Sequence, residues 1–481
     1  MNKIYSHLSS LIIIITVITF AFIPANMWLD EAALGFNILQ NDFFQFFKPL
    51  EYFNQVAPIG FLIFNKVICE IFGYSDFTMR IPSIVAFILS FTLLLKNSFF
   101  HNKFQLIMVI FLLSKWMFYG FELKQYIFDF LSLTVFYYQY YNRIKFDWRF
   151  VLIYALLGWF SNIAMFLLPV LVLFQLIIIK KRFGLKSLLG MLLLGLNSLS
   201  YFWLFVRGHP AKKVMNVYWS KHFIPLSVSD FPEWIAEHLL LFFNFHINTP
   251  FQYLRISLGL FIATLLLISL LILVRNDHLI STLKRYRILL IPFVFSLVMA
   301  VLKFYPLDGG RLSIYLIVPL IFLLYKVINF LGRYYKLFFL KRIKVFLFLL
   351  VISLSFSRIW YVKILYPAED MRDYIANNSN DELVIFTGSG IKHYSFYKGL
   401  RDYKNEKTSA VYIRSISDTL NLISYDSLKY LLIVEVFSRN LEENSPATIS
   451  TLDGRSFTFE TVSESKGIKS YKYKYSKSSR R

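Results

Sequence analysis

Long apolar runs broken by short basic loops fill most of this 481-residue chain. Leu11–Phe22, Ile81–Leu95 and Leu258–Val274 contain no ionised side chain. At about 1.5 Å rise per residue, roughly 20 such residues cross the hydrocarbon core of a bilayer. The pattern predicts spans at about 9–26, 80–96, 104–121, 123–141, 150–179, 187–206, 252–274, 288–303, 311–330 and 345–362. Residues 1–25 have a signal-peptide-like start at Lys3 but no clean small-residue cleavage site, so they read as a retained first span.

The loops orient these spans. Segments 96–103, 142–149, 180–186, 275–287 and 333–344 together hold 18 Lys/Arg against only Asp147 and Asp277, the bias of cytoplasmic loops. Segment 150–179 is basic at both ends and must return to the side it left. Two short broken helices meeting near Ser161-Asn162 satisfy that, giving about 11 spans with the N-terminus inside and the C-terminus outside. The outer stretches are then 27–79, a tip near 119–123, 207–251, 304–310 and 363–481.

Within 27–79, Phe43, Phe44, Phe46 and Phe47 beside Asp42 and Lys48 read as interfacial, and Pro58–Gly73 as a juxtamembrane helix too short to cross. After Tyr366 the composition turns polar. A helix at Glu369–Ala376, strands at Glu382–Phe386 and Tyr430–Val436, and a last strand within Lys466–Arg481 suggest a small α/β domain. The fold class expected is an all-α polytopic transmembrane bundle over 1–362, with an extracytoplasmic α/β domain over 363–481.

Composition sharpens this reading. Apolar residues make up 57% and aromatics 19%, beyond the 45–50% apolar content usual for soluble domains. The net charge of +22 sits in short loops, which favours membrane orientation over nucleic-acid binding. One cysteine, Cys69, excludes an intramolecular disulfide framework and a cysteine-rich metal site.

Three constellations could carry chemistry. Asp30 and Glu31 follow the first span, where partial desolvation suits a carboxylate base, although an N-cap with a first-turn acid fits equally. Glu122, Tyr126 and Asp129 would share one face of a helix, with Lys124 at its mouth. Ionisable residues in a span usually face a cavity or a partner, and an interhelical salt bridge is the structural alternative. Tyr305-Pro306-Leu307-Asp308-Gly309-Gly310-Arg311 couples a glycine turn to a phosphate-matching guanidinium, against the plainer reading of a snorkelling Arg311. His209, His222, His238 and His246 match no metal-ligand spacing and read as solvated or capping. Gly388-Ser389-Gly390 reads as a turn, and Lys115 as snorkelling.

Together these motifs resemble the GT-C superfamily of membrane glycosyltransferases, in particular family 39-like members related to protein O-mannosyltransferases and the lipid A aminoarabinose transferase. The resemblance runs through Trp28-Leu29-Asp30-Glu31-Ala32, Ala57-Pro58-Ile59-Gly60-Phe61, Arg80-Ile81-Pro82-Ser83, Glu122-Leu123-Lys124-Gln125-Tyr126 and Gly310-Arg311-Leu312 with Pro319. The tail segment Glu369…Asp373-Tyr374-Ile375…Glu382-Leu383-Val384 also looks like the extracytoplasmic domain of some members.

The resemblance implies sugar transfer from a polyprenyl-phosphate carrier to a lipid, glycan or protein acceptor outside the cytoplasmic membrane, with inversion. It implies Asp30 as general base, with Glu31 orienting it or sharing the acceptor. Lys124, Tyr126, Arg311 and Arg80 would hold the carrier phosphate, with Glu122, Asp129 and Asp308 in support. Many relatives place Lys or His before a Pro-Pro pair where this chain has Gln55-Val56-Ala57-Pro58. That departure leaves metal dependence open; no cofactor and no firmly held metal are expected. The competing readings are a cell-envelope polysaccharide polymerase or ligase and a non-catalytic flippase of lipid-linked saccharides.

Overall fold

The computed structural model describes residues 27–334, apart from 28, 54, 180–184, 226, 228, 309 and most of 247–278, together with six strands between Glu382 and Ser476. The spans expected at 9–26 and 345–362, nearly all of that at 252–274, and the helix at Glu369–Ala376 lie outside the described residues.

The helices are α1 (Leu29–Gln40), α2 (Ile59–Phe72), α3 (Asp76–Lys96), α4 (Lys103–Leu112), α5 (Tyr126–Tyr141), α6 (Trp148–Phe160), α7 (Ala164–Ile179), α8 (Leu185–Tyr201), α9 (Ala211–Tyr218), α10 (Phe231–His246), α11 (Leu279–Val301) and α12 (Ile317–Tyr334). Tight 3₁₀ runs at Ser114–Phe121 and Arg311–Leu316 lead into α5 and α12. Asp76–Lys96, Ser187–Val206 and Arg311–Asn329 are long and apolar enough to cross a membrane. Helix α8 turns Leu188, Leu189, Leu192, Leu193, Leu196 and Leu199 outward, a surface suited to lipid rather than water.

Local chemistry sets the helix ends. Ser75 caps α3 by accepting the Thr78 N–H at 3.1 Å, and Asp147 caps α6 by accepting from Arg149 at 3.0 Å. The break expected near Ser161-Asn162 is present, between Phe160 and Ala164. Its cause is Ser161, whose Oγ accepts the Ala164 N–H at 2.9 Å and so starts a new helix.

Helix α2 lies against α6 where Gly60 meets Trp159: a Cβ on Gly60 would stand 2.7 Å from the Trp159 carbonyl oxygen. The core that fixes the bundle is aromatic, with Phe61, Phe87, Phe130, Tyr137, Tyr315 and Tyr325 almost fully buried. Two of its hydroxyls bond to backbone: Tyr137 donates to the Ile288 carbonyl, and Tyr325 accepts the Asn102 N–H.

The strands are β1 (Glu382–Gly388), β2 (Ala410–Ile413), β3 (Tyr430–Val436), β4 (Thr448–Ser450), β5 (Ser456–Ser465) and β6 (Ile468–Ser476). They form one sheet in the order β2-β1-β3-β6-β5-β4. Strand β1 runs parallel to β2 and β3, and the pairs β3–β6, β5–β6 and β4–β5 are antiparallel. The strands expected at Glu382–Phe386 and Tyr430–Val436 are β1 and β3.

Candidate active site

The loop between the 3₁₀ run and α5 is the hub. The sequence pattern put Glu122 on the helix with Tyr126 and Asp129; the helix instead begins at Tyr126, and Glu122 precedes it in a loop. Tertiary bonds hold the loop unwound. Glu31 Oε1 accepts the Leu123 N–H at 2.5 Å, and Ser83 Oγ donates to the Lys124 carbonyl at 3.4 Å. Backbone groups satisfied in this way gain nothing from joining the helix.

Glu31 is itself anchored. Arg80 from α3 donates to it twice, Nε to Oε1 and Nη2 to Oε2, each at 3.1 Å. Both side chains are buried, in the fork-to-fork geometry that makes an arginine–carboxylate pair strong. Glu122 lies next to this pair. Burial is the main cause, and the Glu31 charge the next, that pushes its carboxyl above the usual range and favours the protonated form.

One helical residue before Glu31, Asp30 turns the other way, toward Arg311. The Arg311 Nη1 to Asp30 Oδ2 distance is 2.6 Å, joining residues 281 positions apart. Arg311 also lies over the Tyr126 ring at 5.9 Å. Lys124, in the loop ahead of α5, donates from Nζ to Gln55 Oε1 at 3.1 Å.

Asp30, Lys124, Tyr126, Asp129 and Arg311 line one cavity of about 1000 Å³. Most of its remaining wall is apolar or aromatic and comes from segment 46–62, helix α7 and residues 201–223. Glu31, Arg80, Glu122 and Asp308 are not among the lining residues. The expected placement of Arg80 on a carrier phosphate is thereby corrected: its guanidinium is committed to Glu31, behind the wall.

Asp308 faces another group. His222 Nδ1 is 3.9 Å from its carboxylate, and the Leu307 N–H donates to the His222 carbonyl at 2.9 Å. His238 corrects the reading of solvated histidines. It is buried, its Nδ1 donates to the Trp234 carbonyl at 2.8 Å, and its Nε2 lies 3.2 Å from His222 Nδ1. Among the described residues no three His, Cys, Asp or Glu side chains gather as a metal-binding group.

Lining residues without a role in the sequence reading include Gln55, Asn162 and Tyr201. Gln55 had a signal, since it falls where the resemblance expects Lys or His. Asn162 stood out only as the helix break.

Asp30 and Asp129, cations that include Lys124 and Arg311, and Tyr126 are brought from separate stretches of chain into one hollow with mostly apolar walls, and they define a polar site in a helical bundle. Neither a family model nor a curated protein matches the chain. Two solved structures align along its length. ArnT from Cupriavidus metallidurans bound to undecaprenyl phosphate does so at 11% identity over 98% of each chain, with a TM-score of 0.44. The apo state of that protein aligns at 12% identity over 98% of each chain, with a TM-score of 0.41. ArnT is a GT-C lipid A aminoarabinose transferase.

Proposed function

We propose that the chain is an integral membrane glycosyltransferase that moves a sugar from a polyprenyl-phosphate carrier to an acceptor hydroxyl. The observation that carries this reading is the meeting of Asp30, Lys124, Tyr126 and Arg311 in one cavity with apolar walls. An isoprenoid tail needs the apolar wall, its phosphate needs the cations, and the acceptor needs a base.

In the reaction, the Asp30 carboxylate takes the proton from the acceptor hydroxyl. The oxygen attacks the anomeric carbon from the face opposite the phosphate, so configuration inverts. The carbon–oxygen bond to the phosphate breaks and its electron pair leaves with the carrier phosphate. Lys124 and Arg311 stabilise the charge that develops there, and Tyr126 donates a hydrogen bond to it. Glu31 acts through position. Bound to Arg80 and the Leu123 N–H, it sets both α1, which carries Asp30, and the loop that carries Lys124.

The basic loops support a cytoplasmic-membrane location with the site on the outer face, the N-terminus inside and the C-terminal sheet outside. The acceptor class is a lipid, glycan or protein.

Asp30→Asn provides the test, with transfer from a radiolabelled polyprenyl-phosphate sugar followed in membranes. Loss of a general base should lower the rate roughly 10²–10⁴-fold while membrane insertion and yield stay unchanged. Wild-type transfer by this variant would remove the base and, with it, the mechanism.

A further inference from the structure

A second polar group lines the same cavity and is unused by the phosphate or the base. Asp129 lies three residues beyond Tyr126 on α5, one helical turn further along the same face. It is only 2% exposed, yet it is a cavity-lining residue. An ionisable side chain so placed is costly unless its oxygens are bonded. Ser161 Oγ donates to Asp129 Oδ1 at 2.5 Å. Ser161 cannot turn away, because the same oxygen caps α7. A carboxyl group offers about four acceptor positions, and among the described residues no cation lies within ion-pair distance of Asp129.

Beside it, the break between α6 and α7 presents Asn162 to the cavity. Tyr201 from the end of α8 donates to Asn162 Oδ1 at 2.6 Å. With its oxygen so occupied, the amide offers its N–H groups. Non-helical backbone at membrane depth is tolerated where it lines a cavity, which is its position here. Aromatic rings flank the group: Tyr201 packs against Phe166 at 6.4 Å and Phe205 at 5.3 Å between centroids, and both lie in the cavity wall.

We infer that Asp129, Asn162 and Tyr201 form a subsite that reads the hydroxyl groups of the transferred sugar. This rests on the glycosyltransferase reading and names what the far part of its cavity binds. A sugar hydroxyl both donates and accepts, which suits a fixed carboxyl acceptor beside a fixed amide donor. The aromatic flank suits the C–H face of the ring. The phosphate belongs with the cations Lys124 and Arg311, which leaves the sugar ring to the Asp129 group. A bound metal is disfavoured, since Asp129 stands without further acidic, histidine or cysteine ligands among the described residues.

The experiment uses the purified full chain in nanodiscs and measures binding of undecaprenyl phosphate without sugar and of the same carrier loaded with a hexose or a pentose. Wild type should bind at least one loaded carrier about tenfold more tightly than the bare one, the yield of one or two well-made hydrogen bonds. In Asp129→Asn and Asn162→Ala that preference should vanish, with affinity for the bare carrier unchanged. Both variants should melt within a few degrees of wild type, and Tyr201→Phe, which keeps the ring, should lose part of the preference. Variants that keep the full preference overturn the subsite, as does a wild type that binds the bare carrier but favours no loaded one. If wild type binds neither form, the glycosyltransferase reading itself falls.

Discussion

Two glutamates within reach of the same arginine have opposite parts. Glu31 is the buried anion of a two-bond pair with Arg80 and also holds the Leu123 N–H. Glu31→Gln leaves a buried guanidinium without its counter-charge, which typically costs about 3–5 kcal/mol. The variant should melt well below wild type in detergent and lose transfer. Glu122 already favours its proton, so Glu122→Gln is close to an isostere of the form present and should melt with wild type. Equal losses in the two variants would refute this division of roles. Lys124 supplies a point charge for the carrier phosphate in the proposed reaction, so Lys124→Met should bind undecaprenyl phosphate at least about tenfold more weakly than wild type. Equal affinity in the two proteins would remove Lys124 from phosphate binding.

At the scale of elements, the close approach of α2 and α6 depends on Gly60. A methyl there meets the backbone oxygen of Trp159, which cannot turn aside as a side chain could. Gly60→Ala should destabilise by about 1–3 kcal/mol, as overpacking does, and melting curves with wild-type values would show that the helices can part freely. Several elements were legible in the sequence. Basic residues at both ends of 150–179 called for a break, and Ser161 supplies the cap that starts the second helix. Pro58 to Gly73 marked α2 by its bounding residues. The unwound loop before α5 was hidden: Glu122 through Asp129 has helical spacing, and what keeps Glu122 off the helix is a carboxylate from residue 31 and a hydroxyl from residue 83. Such bonds join distant positions and leave no periodic trace.

For the whole molecule, residues 220–246 dock on the turn that precedes Arg311. His222 and His238 join each other there, Trp234 Nε1 donates to the Lys221 carbonyl, and the Leu307 N–H reaches the His222 carbonyl. Burial is the main cause that lowers the His238 pKa, with His222 adding to it and the Trp234 carbonyl, Glu237 and Asp308 opposing. The docked form therefore resists protonation. Docking should be complete above the ordinary histidine pKa of about 6.5 and weaken as pH falls below it. Hydrogen exchange across 220–246 should rise between pH 7.5 and 5.5 after correction for intrinsic rates, and the rise should be absent in His238→Gln. Equal protection at both values would show that the docking ignores this proton. The histidines were visible in the sequence as four residues of one loop, but their pairing was not, because Asp308 and Leu307 come from a different turn. The cavity follows the same rule. Asp30, Lys124 and Arg311 were each readable as candidates from local composition, whereas Asn162 and Tyr201 gain a place in the site only when the fold sets them in one wall.

The bond between Arg311 and Asp30 bears on the sequence of events in turnover. A base engaged with a guanidinium is a poor acceptor of protons, and the phosphodiester anion of the loaded carrier is a rival for the same guanidinium. The carrier would thus switch the enzyme on by drawing Arg311 away from Asp30, and an acceptor that arrived early would meet a carboxylate already occupied. Steady-state kinetics should then be compulsory-order, lipid first.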